Sequence, residues 1–185
     1  MPQPQVRPGA TVEDLYKVEG KAEIVGGEIV LMAPAGFRHG RVAFAVASSL
    51  REYERTAGRG FALPDNVGFI VNLPNRRSFC PDAAYFVGEP SGPKFLEGAP
   101  IFAVEVRSEE DYGPAAEKRL AAKRTDYFAA GTRVVWDVDF LRDGRVRSYS
   151  AERPEEPRVF DRGQVADAEP ALPGWSVSVD SILKG

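Results

Sequence analysis

The chain reads as an α/β protein of the α+β kind: a mixed β-sheet flanked by helices, with an N-terminal β-hairpin in front. Three observations predict this. Short apolar runs of strand character recur at 67–73, 79–87, 101–107 and 133–138, each within the length a buried strand needs. Two longer segments, 39–57 and 114–130, carry their apolar residues at helical spacing instead. The resulting order of helix, three strands, helix, strand buries best as one sheet covered by helices.

Each element has a local reason. Thr11, with Asp14 three residues on, predicts a capped short helix through residue 18. The runs 22–25 and 28–32 flank Gly26-Gly27, a pair that supplies the positive φ of a tight hairpin turn; Pro34 and Gly36 then end the hairpin. Val42, Val46, Leu50 and Tyr53 make one stripe of the first long helix, which Gly58 and Gly60 stop. Pro74-Asn75-Arg76-Arg77 reads as the turn of a second hairpin joining 67–73 to 79–87. A Gly/Pro-rich loop around residues 91–93 leads to 101–107. The second long helix has Pro114 at its first turn and Gly131 as its C-cap. Beyond the strand 133–138 come strands at 145–150 and 158–160, and an apolar closing segment at 175–183.

The 185 residues are 43% hydrophobic, enough for one domain with a proper core. The expectation is a single domain over 1–185, with its core at 37–140 and a flexible Pro/Gln-rich start at 1–10. One cysteine, Cys80, excludes an internal disulfide framework and fits a reducing cytoplasm. No apolar run nears the ~18 residues that span a bilayer and no signal segment opens the chain, so the expected location is cytoplasmic, with no membrane partner. The net charge is -3 and the pI about 5.4, so the molecule as a whole does not advertise a polyanionic partner. Its positive charge is nevertheless clustered, as at Arg38, His39 and Arg41, or Lys118, Arg119, Lys123 and Arg124; each cluster taken alone is equally a solvated face.

The chemistry concentrates on three residues. Glu105 lies inside the apolar run 101–106, where a carboxylate is costly unless a cation, proton or donor meets it. Strand alternation puts Val104 and Val106 on one face and Ala103, Glu105 and Arg107 on the other, so the bland alternative is an ion pair with Arg107 or another base. Asp82 follows Pro81 at the start of the neighbouring strand, where it could equally bond the backbone of a turn. Two such carboxylates suit a hard divalent ion such as Mg²⁺. Lys123 shares a helical stripe with Ala116, Leu120, Tyr127 and Ala130; it either snorkels past the core edge or, beside two carboxylates, orients a water or offsets transition-state charge. Glu23, in the hairpin, could face solvent. His39, the one histidine, starts the first long helix on the side of Val42 and Val46. No zinc spacing, phosphate-binding glycine loop or Ser/His triad is present.

These residues resemble a known family. Glu23-Ile24-Val25-Gly26-Gly27-Glu28-Ile29-Val30, Met32-Ala33-Pro34 and His39 are similar to the opening signature of the Uma-type restriction endonuclease-like proteins. Pro81-Asp82-Ala83-Ala84-Tyr85-Phe86-Val87, Val104-Glu105-Val106-Arg107-Ser108 and Lys123 through Tyr127 to Ala130-Gly131 resemble its middle signature, and Trp136-Asp137-Val138-Asp139 and Leu172-Pro173-Gly174-Trp175 its closing ones. The resemblance covers nearly the whole chain, in order. It implies the restriction endonuclease-like fold of the PD-(D/E)XK nucleases, with Asp82 and Glu105 as metal-binding carboxylates. Lys123 stands in for the lysine that many members place two residues after the glutamate, where this chain has Arg107. Glu23 and His39 match further polar positions: Glu23 as an added carboxylate, His39 as a phosphate contact or proton carrier. The chain departs from the family's Ser-Pro after the glutamate, having Ser108-Glu109-Glu110.

The function so implied is a Mg²⁺-dependent endonuclease (Mn²⁺ as substitute) that hydrolyses DNA, with Asp82, Glu105, Lys123, Glu23 and His39 at the site and Arg38, Arg41 and Arg107 gripping flanking phosphates. Cleavage of both strands suggests a homodimer or higher homo-oligomer. The alternatives are a nuclease fold without turnover that binds nucleic acid or a protein partner, and a hydrolase of another phosphodiester.

Overall fold

The computed structural model of the chain describes residues 9–90 and 92–184. Of the segment expected to be flexible, residues 1–8 lie outside these, while Ala10 donates its N–H to the Gly27 carbonyl at 2.8 Å. Thr11 caps a helix shorter than predicted, α1 (Val12–Leu15), through a reciprocal capping box with Asp14. The hairpin forms as predicted: β1 (Ala22–Val25) pairs antiparallel with β2 (Glu28–Leu31), and Gly26 and Gly27 turn it with φ of 59° and 80°. The first long helix, α2 (Phe37–Ala57), ends at Gly58 in the left-handed conformation.

The next segment differs from the sequence reading. Strand β3 (Phe61–Leu63) forms where only a stop was expected. The run 67–73 contributes β4 (Phe69–Ile70), and 79–87 divides into β5 (Ser78–Phe79) and β6 (Ala83–Phe86). The expected second hairpin exists only as β4 against β5, with Phe69 opposite Phe79. Pro81 causes the division, because a residue without an N–H cannot continue a ladder. The Gly/Pro-rich loop holds one more short strand, β7 (Leu96–Glu97), parallel to β4.

Strand β8 (Phe102–Val106) follows, then helix α3 (Pro114–Ala129) with Pro114 at its start, and β9 (Val134–Asp139). Strand β10 (Arg145–Ser150) falls where predicted, and β11 (Arg153–Phe160) begins earlier than expected. A strand not expected from the sequence, β12 (Val165–Asp167), comes next, and the closing segment carries β13 (Ser176–Ser178) and α4 (Val179–Leu183).

The main sheet has six strands in the order β11-β10-β9-β8-β6-β3, with β8 and β9 parallel and the other neighbours antiparallel. The strands β4, β5 and β7 form a separate small sheet. The three strands between the long helices in the main sheet are therefore β3, β6 and β8; the run 67–73 is not one of them. This is a mixed α+β fold of the restriction endonuclease-like kind, with the predicted helix, three strands, helix, strand order intact.

Alternation along β8 sorts the core into two faces. Phe102, Val104 and Val106 pack with Val42, Val46 and Leu50 of α2 and with the aromatic group of Trp136 and Trp175. Ala103 points the other way, to Tyr127 of α3, Phe69 and Phe79. Each such fully buried aromatic or aliphatic side chain contributes roughly 1.5–3 kcal/mol. Among the described residues no helix is long and apolar enough to cross a membrane.

Candidate active site

Where the β6 and β8 ladder ends, the core yields to charge. Ala83 lies opposite Val104, and Asp82, one residue earlier, still donates its N–H to the Val104 carbonyl at 2.9 Å. The break at Pro81 then frees its side chain, which is only 6% exposed. Asp82 Oδ2 accepts the Val106 N–H at 2.7 Å and lies 3.4 Å from His39 Nε2. Its Oδ1 receives Lys21 Nζ at 2.6 Å. Burial pushes the Asp82 carboxyl up, but the His39 contact and the Lys21 charge outweigh it and hold the group well below the usual carboxylate range.

Glu105 sits on the α3 face of β8, as alternation predicts. Its Oε1 accepts the Tyr127 hydroxyl at 2.7 Å and its Oε2 the Lys123 ammonium at 2.9 Å. At 20% exposure its side chain is the most open of the three acids Asp82, Glu105 and Glu23. Burial and the neighbouring Asp82 and Glu23 charges raise its pKa, against the pull of Lys123. Lys123 keeps its proton firmly: burial lowers its pKa, but Glu105 and Glu23 together raise it.

Glu23 is buried, contrary to the solvent-facing option. Its Oε1 accepts the Cys80 N–H and lies 2.9 Å from Lys123 Nζ; its Oε2 is 2.6 Å from Arg76 Nη1. Arg76 in turn donates Nε–H to Asp126 at 2.8 Å. Glu23 therefore fixes Lys123 from behind and lies one step removed from the open part of the site.

His39 has a defined tautomer. Nε2 lies 3.0 Å from the Val106 carbonyl and 3.4 Å from the Asp82 carboxylate, both acceptors, so Nε2 carries the proton. Nδ1 is buried without a partner among the described residues. The imidazole thus orients Asp82 and the end of β8, with its Nδ1 buried.

The structure brings Asp82, Glu105, Lys123, Glu23 and His39 together. It separates Arg107 from them. That guanidinium is 4% exposed, and all five of its N–H donors are taken by Asp137, Glu117 and the Asp111 carbonyl. Of the alternative that paired Glu105 with Arg107 or another base, the second half holds, since Lys123 is the partner; no donor of Arg107 is left to grip a phosphate. Arg38 and Arg41 are exposed, their guanidinium groups over the rings of Phe140 and Phe44.

Four contributors escaped the sequence reading: Lys21, Arg76, Asp126 and Asp65, which shares Lys21 with Asp82 at 2.7 Å. Tyr127 was placed on the inner stripe, but not at the carboxylate. Only Lys21 left a usable signal, since the i, i+2 alternation of β1 puts it on the face of Glu23. Cys80 offers no nucleophile, because burial pushes its thiol up to about 12.

No curated protein matches this chain in sequence. Among solved structures, the fold is similar to a crystal structure from Anabaena variabilis described as "a putative nuclease belonging to DUF820", with a TM-score of 0.73 at 15% identity, covering 95% of this chain and 98% of that one. The residues that converge on Asp82 and Glu105 all lie within 11–180, the stretch matched by the model of the Uma2 family, "Putative restriction endonuclease". The chain belongs to that family.

Proposed function

We propose that this protein is a metal-dependent endonuclease that hydrolyses DNA phosphodiester bonds at Asp82, Glu105 and Lys123. The observation that carries the reading is the side-by-side placement of Asp82 and Glu105 at the end of one β-ladder, with Lys123 hydrogen-bonded to Glu105. Family membership supports it.

Among the described residues no three His, Cys, Asp or Glu side chains are arranged as a metal cage. Mg²⁺ does not require one: it is commonly held by one or two carboxylates, with water and substrate phosphate completing the shell. Two adjacent carboxylates, one of them partly open, fit that mode, so Asp82 and Glu105 are the residues that would hold the ion. When bound, the metal supplies polarisation of the phosphate and a bound water of lowered pKa.

The chain's own residues do the remaining work. Val106 N–H, His39 and Lys21 keep Asp82 ionised and aimed. Tyr127 and Lys123 hold both oxygens of Glu105, and Lys123, fixed by Glu23, offers a permanent positive charge beside the reacting phosphate. Arg38 and Arg41 are free to contact flanking phosphates, and a second copy would be needed to cut both strands together.

Plasmid DNA incubated with Mg²⁺ or Mn²⁺ should be nicked or cut, and Asp82→Ala or Glu105→Ala should abolish this. Equal cleavage by the doubly substituted protein overturns the proposal. One observation favours a second reading, a binding module without turnover: each carboxylate already has an ammonium partner, Lys21 on Asp82 and Lys123 on Glu105. Calorimetry decides between them, since divalent-ion binding that disappears in Asp82→Asn supports the enzyme and its absence from the unaltered protein supports the module.

A further inference from the structure

Helix α2 carries an outward face that the site chemistry does not use. Phe37 is 78% exposed and Phe44 61% exposed, and with Arg41 they fall at i, i+4 and i+7, on one side of the helix. Arg41 lies over the Phe44 ring at 5.9 Å. Two phenylalanines this open on one helix face carry an unrecovered hydration cost, which marks a binding surface more than an accident of packing.

Charge narrows the choice of partner. The chain has 27 acidic residues, yet none lies between Glu28 and Glu52; within that stretch His39 turns in to Asp82 and Arg51 pairs with Glu54, while Arg38 and Arg41 are exposed with no acidic partner among the described residues. A second copy docked here about a two-fold axis would set Arg38 and Arg41 against their own counterparts, which is repulsive. A polyanion is attracted by them. The rings add a further restriction: in a duplex the base faces are already stacked, whereas unpaired bases can stack on an exposed aromatic side chain. The face also adjoins the site, because His39, in the same first turn as Phe37, reaches Val106 and Asp82.

We propose that Phe37 and Phe44, with Arg41, form a stacking platform for unpaired nucleobases, so that the preferred substrate is DNA with a single-stranded segment beside the scissile phosphate. The proposal rests on the nuclease reading for its placement, but its test does not depend on turnover. The probes are a fluorescein-labelled single-stranded oligonucleotide and a fully paired hairpin of the same sequence, titrated by anisotropy in EDTA. Phe37→Ala and Phe44→Ala should each weaken single-strand binding roughly tenfold, the loss expected for one stacked base, and leave hairpin binding nearly unchanged. Arg41→Ala should weaken both and reduce the slope of log affinity against log salt by about 1. In Phe44→Trp, the new indole emission should be quenched by the single strand. Both rings are exposed, so thermal melts of the alanine variants should match the unaltered protein.

Unchanged single-strand affinity in both alanine variants overturns the platform, as does an equal loss on the hairpin. So does a self-association in sedimentation that the Phe variants abolish, which would give the face to a second copy. If the Phe variants bind normally while the unaltered protein cuts plasmid, only the platform fails. If stacking holds and no cleavage occurs with any divalent ion, only the nuclease reading fails.

Discussion

Strand β8 and the residue that follows it carry two ion clusters of opposite temperament only two residues apart. At Arg107 the partners are planar and forked: a guanidinium 4% exposed meets Asp137 through two parallel hydrogen bonds, Nε to Oδ1 at 2.6 Å and Nη2 to Oδ2 at 2.7 Å, and every donor is matched. At Glu105 and Asp82 the partners are ammonium groups, Lys123 and Lys21, each shared between two carboxylates. An ammonium is a compact point charge on a flexible stem, and exchanging its partner costs less than opening a fork. The first cluster is built to stay as it is; the second can trade one cation for another.

Breaking the fork should have the largest effect. Arg107→Met leaves the buried Asp137 without its fork, with only Arg124 at 3.9 Å as a counter-charge, so urea denaturation should show a loss of about 3–5 kcal/mol. Glu105→Gln, two residues earlier, should cost no more than about 1 kcal/mol, because Lys123 keeps Glu23 as its second carboxylate partner and an amide can still accept from Tyr127. Comparable losses in the two variants would erase the distinction.

Next in size, Lys123→Met should lower the cleavage rate by about 10²-fold or more, in the range for loss of one group that stabilises transition-state charge, while leaving the fold intact by circular dichroism. A rate that stays within a factor of two would remove Lys123 from the proposed site.

The pH dependence sharpens the contrast within the open cluster. Burial raises the Glu23 carboxyl, but Lys123 and Arg76 outweigh it and hold the group low. Its contribution to stability is thus present above its unfolded value of about 4.3 and is lost as pH falls through the lower folded value. His39 has the opposite sign: burial lowers its pKa, the Asp82 contacts raise it further, and the net shift is upward. Its contribution is complete below about 6.5 and fades as pH rises through the higher folded value. Stability measured against pH should lose its acid limb below about pH 4 in part with Glu23→Gln, and its decline above about pH 6.5 in part with His39→Gln.

The smallest effect tests exchangeability directly. Lys21 occupies Asp82 Oδ1 and has Asp65 as a second partner. Lys21→Met removes a competitor, so Mn²⁺ titrated by calorimetry should bind a few-fold tighter, worth under about 1.4 kcal/mol. Weaker binding would mean that the lysine assembles the site and does not contend for it.

Much of this site could be read before the fold was known, for a physical reason. Glu105 sits in a strand whose period of two fixes its face, and Lys123 sits in a helix whose period of 3.6 fixes its stripe, so both directions follow from local geometry. Asp82 was marked by Pro81. What stayed hidden depends on contacts far apart in the chain. Arg76 lies in a turn that looks solvated, and only the fold sets it against Glu23, 53 residues away, and Asp126, 50 residues away. Arg107 was drawn towards Glu105 by proximity in sequence, although residues i and i+2 of a strand lie about 6.6 Å apart along the chain and Asp137 on the neighbouring strand is closer. Strand β3 was missed because three residues carry too little pattern to be seen; pairing with β6 makes it a strand.

The step from β5 to β6 has one more implication. Residues 78–86 serve two sheets in succession, and Cys80-Pro81-Asp82 is the hinge pin between them. Asp82 is held to β8 by its N–H on the Val104 carbonyl and Cys80 to Glu23 by its own N–H, so losing or gaining one position in this joint would force one of the two out of register even with every acid intact. A deletion of Pro81 is therefore expected to displace Asp82 or Glu23 while leaving both in the sequence, which makes the spacing of the joint as much a part of the proposed site as the carboxylates it presents.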